Sequence, residues 1–379
     1  IEAGKKTRVI ELKNLHVSPG WFDSSVSFGE PGYEERETIS NGLEVAASAG
    51  FTGIVLNTNT HPSPDTSGDI VFLKETGKGH STSLYPMGTV SMGANGAELS
   101  EMYDMSLSGA VAFSDYKHAL DNPNLLKLAL LYTQNFDALV YSFPQDGQLS
   151  PKGQMNEGEV SMRLGLRGIP TLTEELRIAR DLAILQYTGG KLHIPTISTA
   201  SSVNLIAAAK KNGLDVSCSV AIHHLWFTDE VLDGFDSRYK TLPPLRGKKD
   251  SKALQKALAE GVIDFVTSDH CPLDVEEKRR EFDQAAFGAL GLEESFGVLN
   301  QIYGPEVASE ILGRGRKRFG LAEAKLAAGQ PAELTLFDPE AEYTLSRESL
   351  LSTSGNSMFL GIPLKGKAYG IIRGEKTRF

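Results

Sequence analysis

Short apolar runs alternate with amphipathic stretches along most of the chain. That pattern predicts βα units around a parallel sheet. Eight runs read as strands: Trp21–Phe28, Gly53–Leu56, Leu84–Val90, Ala110–Phe113, Ala138–Ser142, Leu192–Ile197, Asp215–Ala221 and Asp264–Thr267. Eight is the number that closes a (β/α)8 barrel. Between them, Glu34–Ser48, Thr173–Tyr187, Ser201–Asn212 and Ser251–Glu260 read as helices. Gly50 and Gly261 stand where C-terminal glycines end the first and the last of these. Thr171 or Thr173 is placed to cap the second. The stretch Pro144–Gly168, rich in Gly and polar residues, reads as a long loop, a feature that often carries function.

The alternation stops near Leu321. Beyond it, Ala332–Phe337, Ala341–Leu345 and Tyr369–Ile372 read as β-strands separated by Gly and Pro, and the leading Thr7–Leu15 reads as another. The expected fold is α/β: a (β/α)8 TIM-like barrel over residues 16–325, with a small β-sandwich domain formed by the two chain ends, residues 1–15 and 326–379.

Composition narrows the function classes. The 379 residues are 40% apolar and 23% charged, as in an ordinary soluble globular protein and unlike a disordered or collagen-like chain. A net charge of −10 argues against general nucleic-acid binding, which needs basic patches. No apolar run approaches the ~18 residues of a membrane span. Two cysteines, Cys218 and Cys271, cannot make a disulfide scaffold, and no signal peptide is visible, so the cytoplasm is the expected compartment. Neither a phosphate-binding G-x-x-x-x-G-K-[ST] loop nor a strand-linked G-x-G-x-x-G occurs, which leaves nucleotide binding without support.

Chemistry in such a barrel sits at the C-terminal ends of the strands. On the first strand, Asp23, Ser25 and Ser27 share one face by alternation. Small polar residues aimed into a barrel fit either a hydrogen-bonded interior or a site at the strand end.

The segment Val17-Ser-Pro-Gly-Trp-Phe-Asp-Ser-Ser-Val-Ser-Phe-Gly-Glu-Pro-Gly32 resembles the opening of the dihydroorotase branch of the amidohydrolase superfamily, whose pattern is V-x-P-G-F-x-D-x-H-V-H-x-R-E-P-G. Further matches follow in order over nearly the whole chain. They are Asn59-Thr60-His61-Pro62, Gly168-Ile169-Pro170, Ser198-Thr199, His223-His224-Leu225, Pro243-Pro244-Leu245-Arg246-Gly247, Ser268-Asp269-His270 and Ala328–Leu334. The resemblance implies a place in pyrimidine biosynthesis. It also implies a zinc pair held by two histidines on strand one, an aspartate ending strand four, a histidine on each of strands five and six, and an aspartate on strand eight.

The chain departs from that set at five of six positions. The strand-one histidines are Ser25 and Ser27. Tyr116 stands at the bridging aspartate, with Asp115 one residue early and so on the other face. Ser142 and Thr196 replace the strand-five and strand-six histidines, and Asp269 alone survives. Zinc needs imidazole, thiolate or carboxylate donors, which hydroxyls do not replace, so no metal cofactor is expected. Lys117 as a carbamylated bridge would have nothing to bridge. The family's carboxylate-binding arginine is Gly29, its strand-eight loop histidine is Leu273, and the asparagine before Pro-Pro is Leu242; Asn59 is kept at its substrate-binding position.

Other clusters read as structural. His223 and His224, adjacent in extended chain, would face opposite ways. His270 beside Cys271 lacks the geometry of a nucleophile and base. Lys248-Lys249 and Lys278-Arg279-Arg280 read as solvated faces. The leading expectation is a dihydroorotase-like protein that has lost catalysis, with Asp269 vestigial, and that serves as a scaffold for aspartate carbamoyltransferase, as some metal-free relatives do. A homo-oligomer is expected, with no nucleic-acid or membrane partner. Two alternatives stand beside it: an active cyclic-amide hydrolase using Asp269, and a small-molecule binding or sensing module at the remodelled mouth.

Overall fold

The computed structural model describes residues 9–379. The first half contains β1 (His16–Pro19), β2 (Trp21–Val26), α1 (Ile39–Ser48), β3 (Phe51–Leu56), α2 (Ser67–Thr76), β4 (Ser83–Pro86), α3 (Met102–Ser108), α4 (Pro123–Thr133) and β5 (Leu139–Tyr141). There follow β6 (Met155–Asn156), α5 (Glu159–Leu164), β7 (Gly168–Ile169), α6 (Leu172–Thr188), β8 (Lys191–Ile194), α7 (Ala200–Lys211), β9 (Val216–Ala221), α8 (Ile222–Trp226), α9 (Lys248–Ala259) and β10 (Phe265–Thr267). The chain ends with α10 (Val275–Lys278), α11 (Ser295–Tyr303), α12 (Pro305–Gly313), β11 (Glu333–Thr344), β12 (Pro363–Arg373) and β13 (Lys376–Arg378).

The barrel forms as the alternation predicts. β2, β3 and β4 pair in parallel, as do β5, β8, β9 and β10. Bridges from Phe113 to Gly88 and Val140 join the two arcs on one side, and a Val26–His270 bridge closes the other. The predicted strand Ala110–Phe113 is reduced to those bridges. Turns bracket it, with Gly109 at φ 109° before it and Tyr116 at φ 55° after it. Alternate residues of the ring, among them Phe22, Val55, Tyr141 and Phe265, fill the interior, and Phe319 packs with them. The larger apolar cluster lies between ring and helices.

Asp23 ties the last strand to the first. Its buried carboxylate accepts from the Ser25 amide at 3.0 Å, the Thr267 hydroxyl at 2.6 Å and the Ser268 amide at 2.9 Å. Burial pushes its carboxyl up, and these donors pull it back.

Helix α1 starts at Ile39, later than the predicted Glu34. Thr38 caps it, accepting from the Asn41 amide at 3.2 Å, and the preceding residues form the turn after Pro31-Gly32. The stretch expected as the loop Pro144–Gly168 instead contains β6 and α5 and ends on Gly168, the first residue of β7, which pairs with Met155.

The two chain ends meet in a four-stranded sheet in the order β1-β11-β12-β13, all pairs antiparallel. The first strand is His16–Pro19. Of the predicted Thr7–Leu15, residues 7 and 8 lie outside the described residues and 9–15 form no strand. Asn14 sits at φ 46° in a turn, and its side chain donates to Asp338 at 2.6 Å, which ends any extended run. Ala332–Phe337 and Ala341–Leu345, expected as two strands, are essentially one bulged strand, β11. Trp21 joins sheet to barrel, its ring 4.8 Å from Phe296 and 5.5 Å from Phe337. Among the described residues no helix is long and apolar enough to cross a membrane.

Candidate functional site

The C-terminal ends of the barrel strands surround a cavity of about 610 Å³. Asn59, Asp115, Tyr116, Lys117 and Cys271 line it, and Leu242 and Leu273, at two of the family's substrate-binding positions, add apolar surface. Asp269 is only 2% exposed and does not line the cavity. The Lys117 ammonium donates to the Asp269 carboxylate at 2.9 Å. Burial raises the Asp269 carboxyl, and Lys117 opposes that rise. Tyr116 lies against Ser27 and the Cys271 thiol; burial, then the neighbouring Cys271 and Asp269, push its phenol well up.

The strand-one hydroxyls are spent on each other's neighbour. Asn57 donates to Ser25 at 3.2 Å and to Ser27 at 3.0 Å, and Ser25 donates back to Asn57. Asp115 is also occupied: its carboxylate accepts from the Val90 amide at 2.8 Å, the Ser91 amide at 3.0 Å and the Ser91 hydroxyl. Ser142 does not join the cluster. Its hydroxyl donates to Asp181 on α6 at 2.5 Å, while the preceding Tyr141 takes the inward face. Thr196 is buried with its hydroxyl unpartnered, and Asn59 has a buried, unpartnered Oδ1.

Three of these positions carry left-handed backbone: Tyr116 at φ 55°, Thr196 at φ 47° and Asp269 at φ 50°. For a β-branched or bulky residue this costs on the order of 1–3 kcal/mol, and such strain concentrates at functional sites. Nothing in the sequence pattern signalled it.

The His223–His224 pair sits in α8, not in extended chain, so the two rings lie only 4.6 Å apart. Both are structural: His224 donates to the Pro243 and Pro244 carbonyls at 3.2 Å, and His223 meets the Thr241 hydroxyl at 3.3 Å. Burial holds the His224 imidazole down at about 3. His270 turns away from Cys271 to Glu37, 2.9 Å distant, and burial raises the Cys271 thiol, so no thiolate–imidazole pair forms. Lys248 and Lys249 are solvated as expected, but Lys278 is buried. Its ammonium donates to the carbonyls of Lys240 at 3.0 Å and Ala286 at 2.9 Å, because the loop after β10 folds back over it.

Comparison with known proteins decides the family. A family model described as dihydro-orotase-like matches residues 15–202. The dihydroorotase of Pelotomaculum thermopropionicum is 38% identical over 379 residues, spanning 97% of this chain and 88% of its own. That of Geobacter metallireducens is 36% identical over 387 residues, spanning 100% and 91%. The chain belongs to the dihydroorotase family. The fold is also that of the L-hydantoinase of Arthrobacter aurescens, with a TM-score of 0.83 over 95% of this chain and 84% of that one at 22% identity.

As a dihydroorotase-family mouth, this one does not fit the zinc pair that the resemblance implied. Of the six positions, only Asp269 offers a donor that zinc favours, and an ammonium already holds it. Among the described residues no three His, Cys, Asp or Glu side chains come together as a metal site. Tyr116, Ser27 and Asp269 are brought together; Ser142 is not. The family's arginine position is closed as well as altered. A Cβ on Gly29 would lie 1.7 Å from the Tyr33 carbonyl oxygen, so the loop after β2 leaves no room for any side chain there.

Proposed function

We propose that this dihydroorotase-family protein does not open a cyclic amide through a zinc pair, and that its role in pyrimidine biosynthesis is structural. The Lys117 ammonium on Asp269 carries the reading, because a fixed cation at the surviving carboxylate opposes a divalent metal there. Activating water at neutral pH is what a metal contributes, moving its pKa from ~15.7 to about 7. Tyr116, Lys117 and Cys271 instead stand between the cavity and Asp269. On this reading Asp269 positions Lys117 and is not a catalytic base. The protein works in the cytoplasm, as an oligomer, as a scaffold for aspartate carbamoyltransferase. An interface of that kind buries more than ~1,000 Å² and survives gel filtration. Mixing the two purified proteins of one cell and measuring mass by light scattering tests it. Co-elution supports the scaffold role. Independent elution at micromolar concentration, with a carbamoyltransferase fully active alone, removes it and favours a ligand-sensing role for the mouth.

A second reading is an active dihydroorotase. Its support is that relatives 36–38% identical over nearly the whole chain carry that name. Zinc-dependent ring opening of dihydroorotate by the purified protein would establish it.

A further inference from the structure

A second cavity of about 380 Å³ lies beside the mouth, where the loop after β10 meets the C-terminal segment between β11 and β12. The chain as a whole has a net charge of −10, yet Arg238, Lys278, Arg279 and Arg347 all line this cavity, against two carboxylates, Asp236 and Asp274. Both carboxylates are committed. Asp236 holds Arg238 through Nε at 2.8 Å and Nη2 at 2.6 Å, and Asp274 caps α10, accepting from the Glu277 amide at 2.7 Å. Arg279 and Arg347 have no carboxylate within ion-pair distance among the described residues.

The arrangement is built rather than incidental. The Arg347 stem crosses Gly355 so closely that a Cβ there would lie 2.7 Å from its Cδ and Nε. Its guanidinium is then held by the Thr353 carbonyl at 2.7 Å, which fixes the direction of the fork. Lys278 is buried beneath, its Nζ donating to two carbonyls, so the cation count of the site rests on the two arginines without a carboxylate partner. Leu273 and Leu360 supply an apolar wall, and Leu273 also lines the mouth. The volume is within the ~300–1,000 Å³ range of small-molecule sites. Guanidinium forks match phosphate oxygens two at a time, and two guanidinium groups without carboxylate partners facing one space favour a multiply charged anion.

We propose that this cavity binds a phosphate-bearing small metabolite, with Arg279 and Arg347 holding the phosphate oxygens and the remaining body against Leu273 and Leu360. The site is independent of whether the mouth is catalytic. Because Leu273 lines both cavities, occupancy here bears on the shape of the mouth.

Calorimetric titration of the whole protein at low ionic strength tests the proposal, with pyrophosphate and inorganic phosphate as probes and citrate as a carboxylate comparator. Pyrophosphate is expected to bind with a stoichiometry near one, and more tightly than citrate. Arg279→Ala with Arg347→Ala should weaken it by at least about tenfold, the loss of a charge-assisted contact. Arg279→Ala alone, at an exposed position, serves if the double variant does not fold, and should still weaken binding severalfold. No saturable heat, equal affinity for citrate, or binding unchanged by the substitutions would overturn the assignment.

Discussion

Replacing Lys117 by Met removes the partner of a buried carboxylate and little else. The Lys117 side chain is 12% exposed and that of Asp269 2%, with 2.9 Å between ammonium and carboxylate. Breaking a buried pair from one side leaves an uncompensated charge, which costs about 3–5 kcal/mol. Lys117→Met is therefore expected to lose about that much in urea denaturation at neutral pH. Asp269→Asn on the same background should recover most of the loss, since the pair then becomes two neutral groups. The deficit should also depend on pH in a fixed sense. Burial already lifts the folded Asp269 carboxyl above its ordinary 3.8, and without Lys117 it rises further. A raised carboxyl contributes in full below its unfolded value and loses that contribution as pH climbs through the folded one. The Lys117→Met variant should thus approach the parent near pH 4 and fall away toward pH 7. A loss under about 1 kcal/mol, or no rescue by Asp269→Asn, would refute the claim that this ion pair holds the mouth.

Three further outcomes follow from the same geometry. Ser25→His with Ser27→His should not create dihydroorotate ring opening, because Tyr116 still holds the bridging position and Lys117 still occupies Asp269; an activity assay with added zinc checks this. Gly29→Arg should destabilise the fold by at least about 1–3 kcal/mol instead of restoring carboxylate binding, since its Cβ would meet the Tyr33 carbonyl oxygen; thermal melting reads it. Burial holds the folded Lys278 near 7, below its ordinary 10.5, so its contribution is present above about 10.5 and is lost as pH falls toward 7. Lys278→Met should flatten that slope of stability against pH between 7 and 10; an unchanged slope would show Lys278 to be solvated.

The ring of the barrel was legible because its strands carry apolar runs bounded by turns, and because Gly50 and Gly261, both at positive φ, follow the ends of α1 and α9; Thr171 stands at the start of α6 but makes no side-chain cap. The terminal β-domain was legible for the same reason, although Asn14 moved its first strand onto His16–Pro19. The positions at which the resemblance places metal ligands are read from motif order alone. What the sequence could not carry was set by distant contacts. Lys278 reads as one of three solvated cations, and only the loop folding back through Ala286 buries it. Ser142 reads as a mouth residue, and Asp181 on α6 claims it. Gly29 reads as a lost arginine, whereas the turn to Tyr33 closes the place where one would stand. The Lys117–Asp269 pair joins residues 152 positions apart and has no local signature.

Metal content measured together with activity is the most direct test of the central claim. The protein, purified without chelators and dialysed against metal-free buffer, is analysed for zinc per chain and assayed in parallel with dihydroorotate and carbamoyl aspartate. The account predicts zinc well below one ion per chain and no ring opening or closure above the uncatalysed rate, with or without added zinc. One or two tightly held zinc ions per chain, with ring opening that disappears when they are removed, would contradict it.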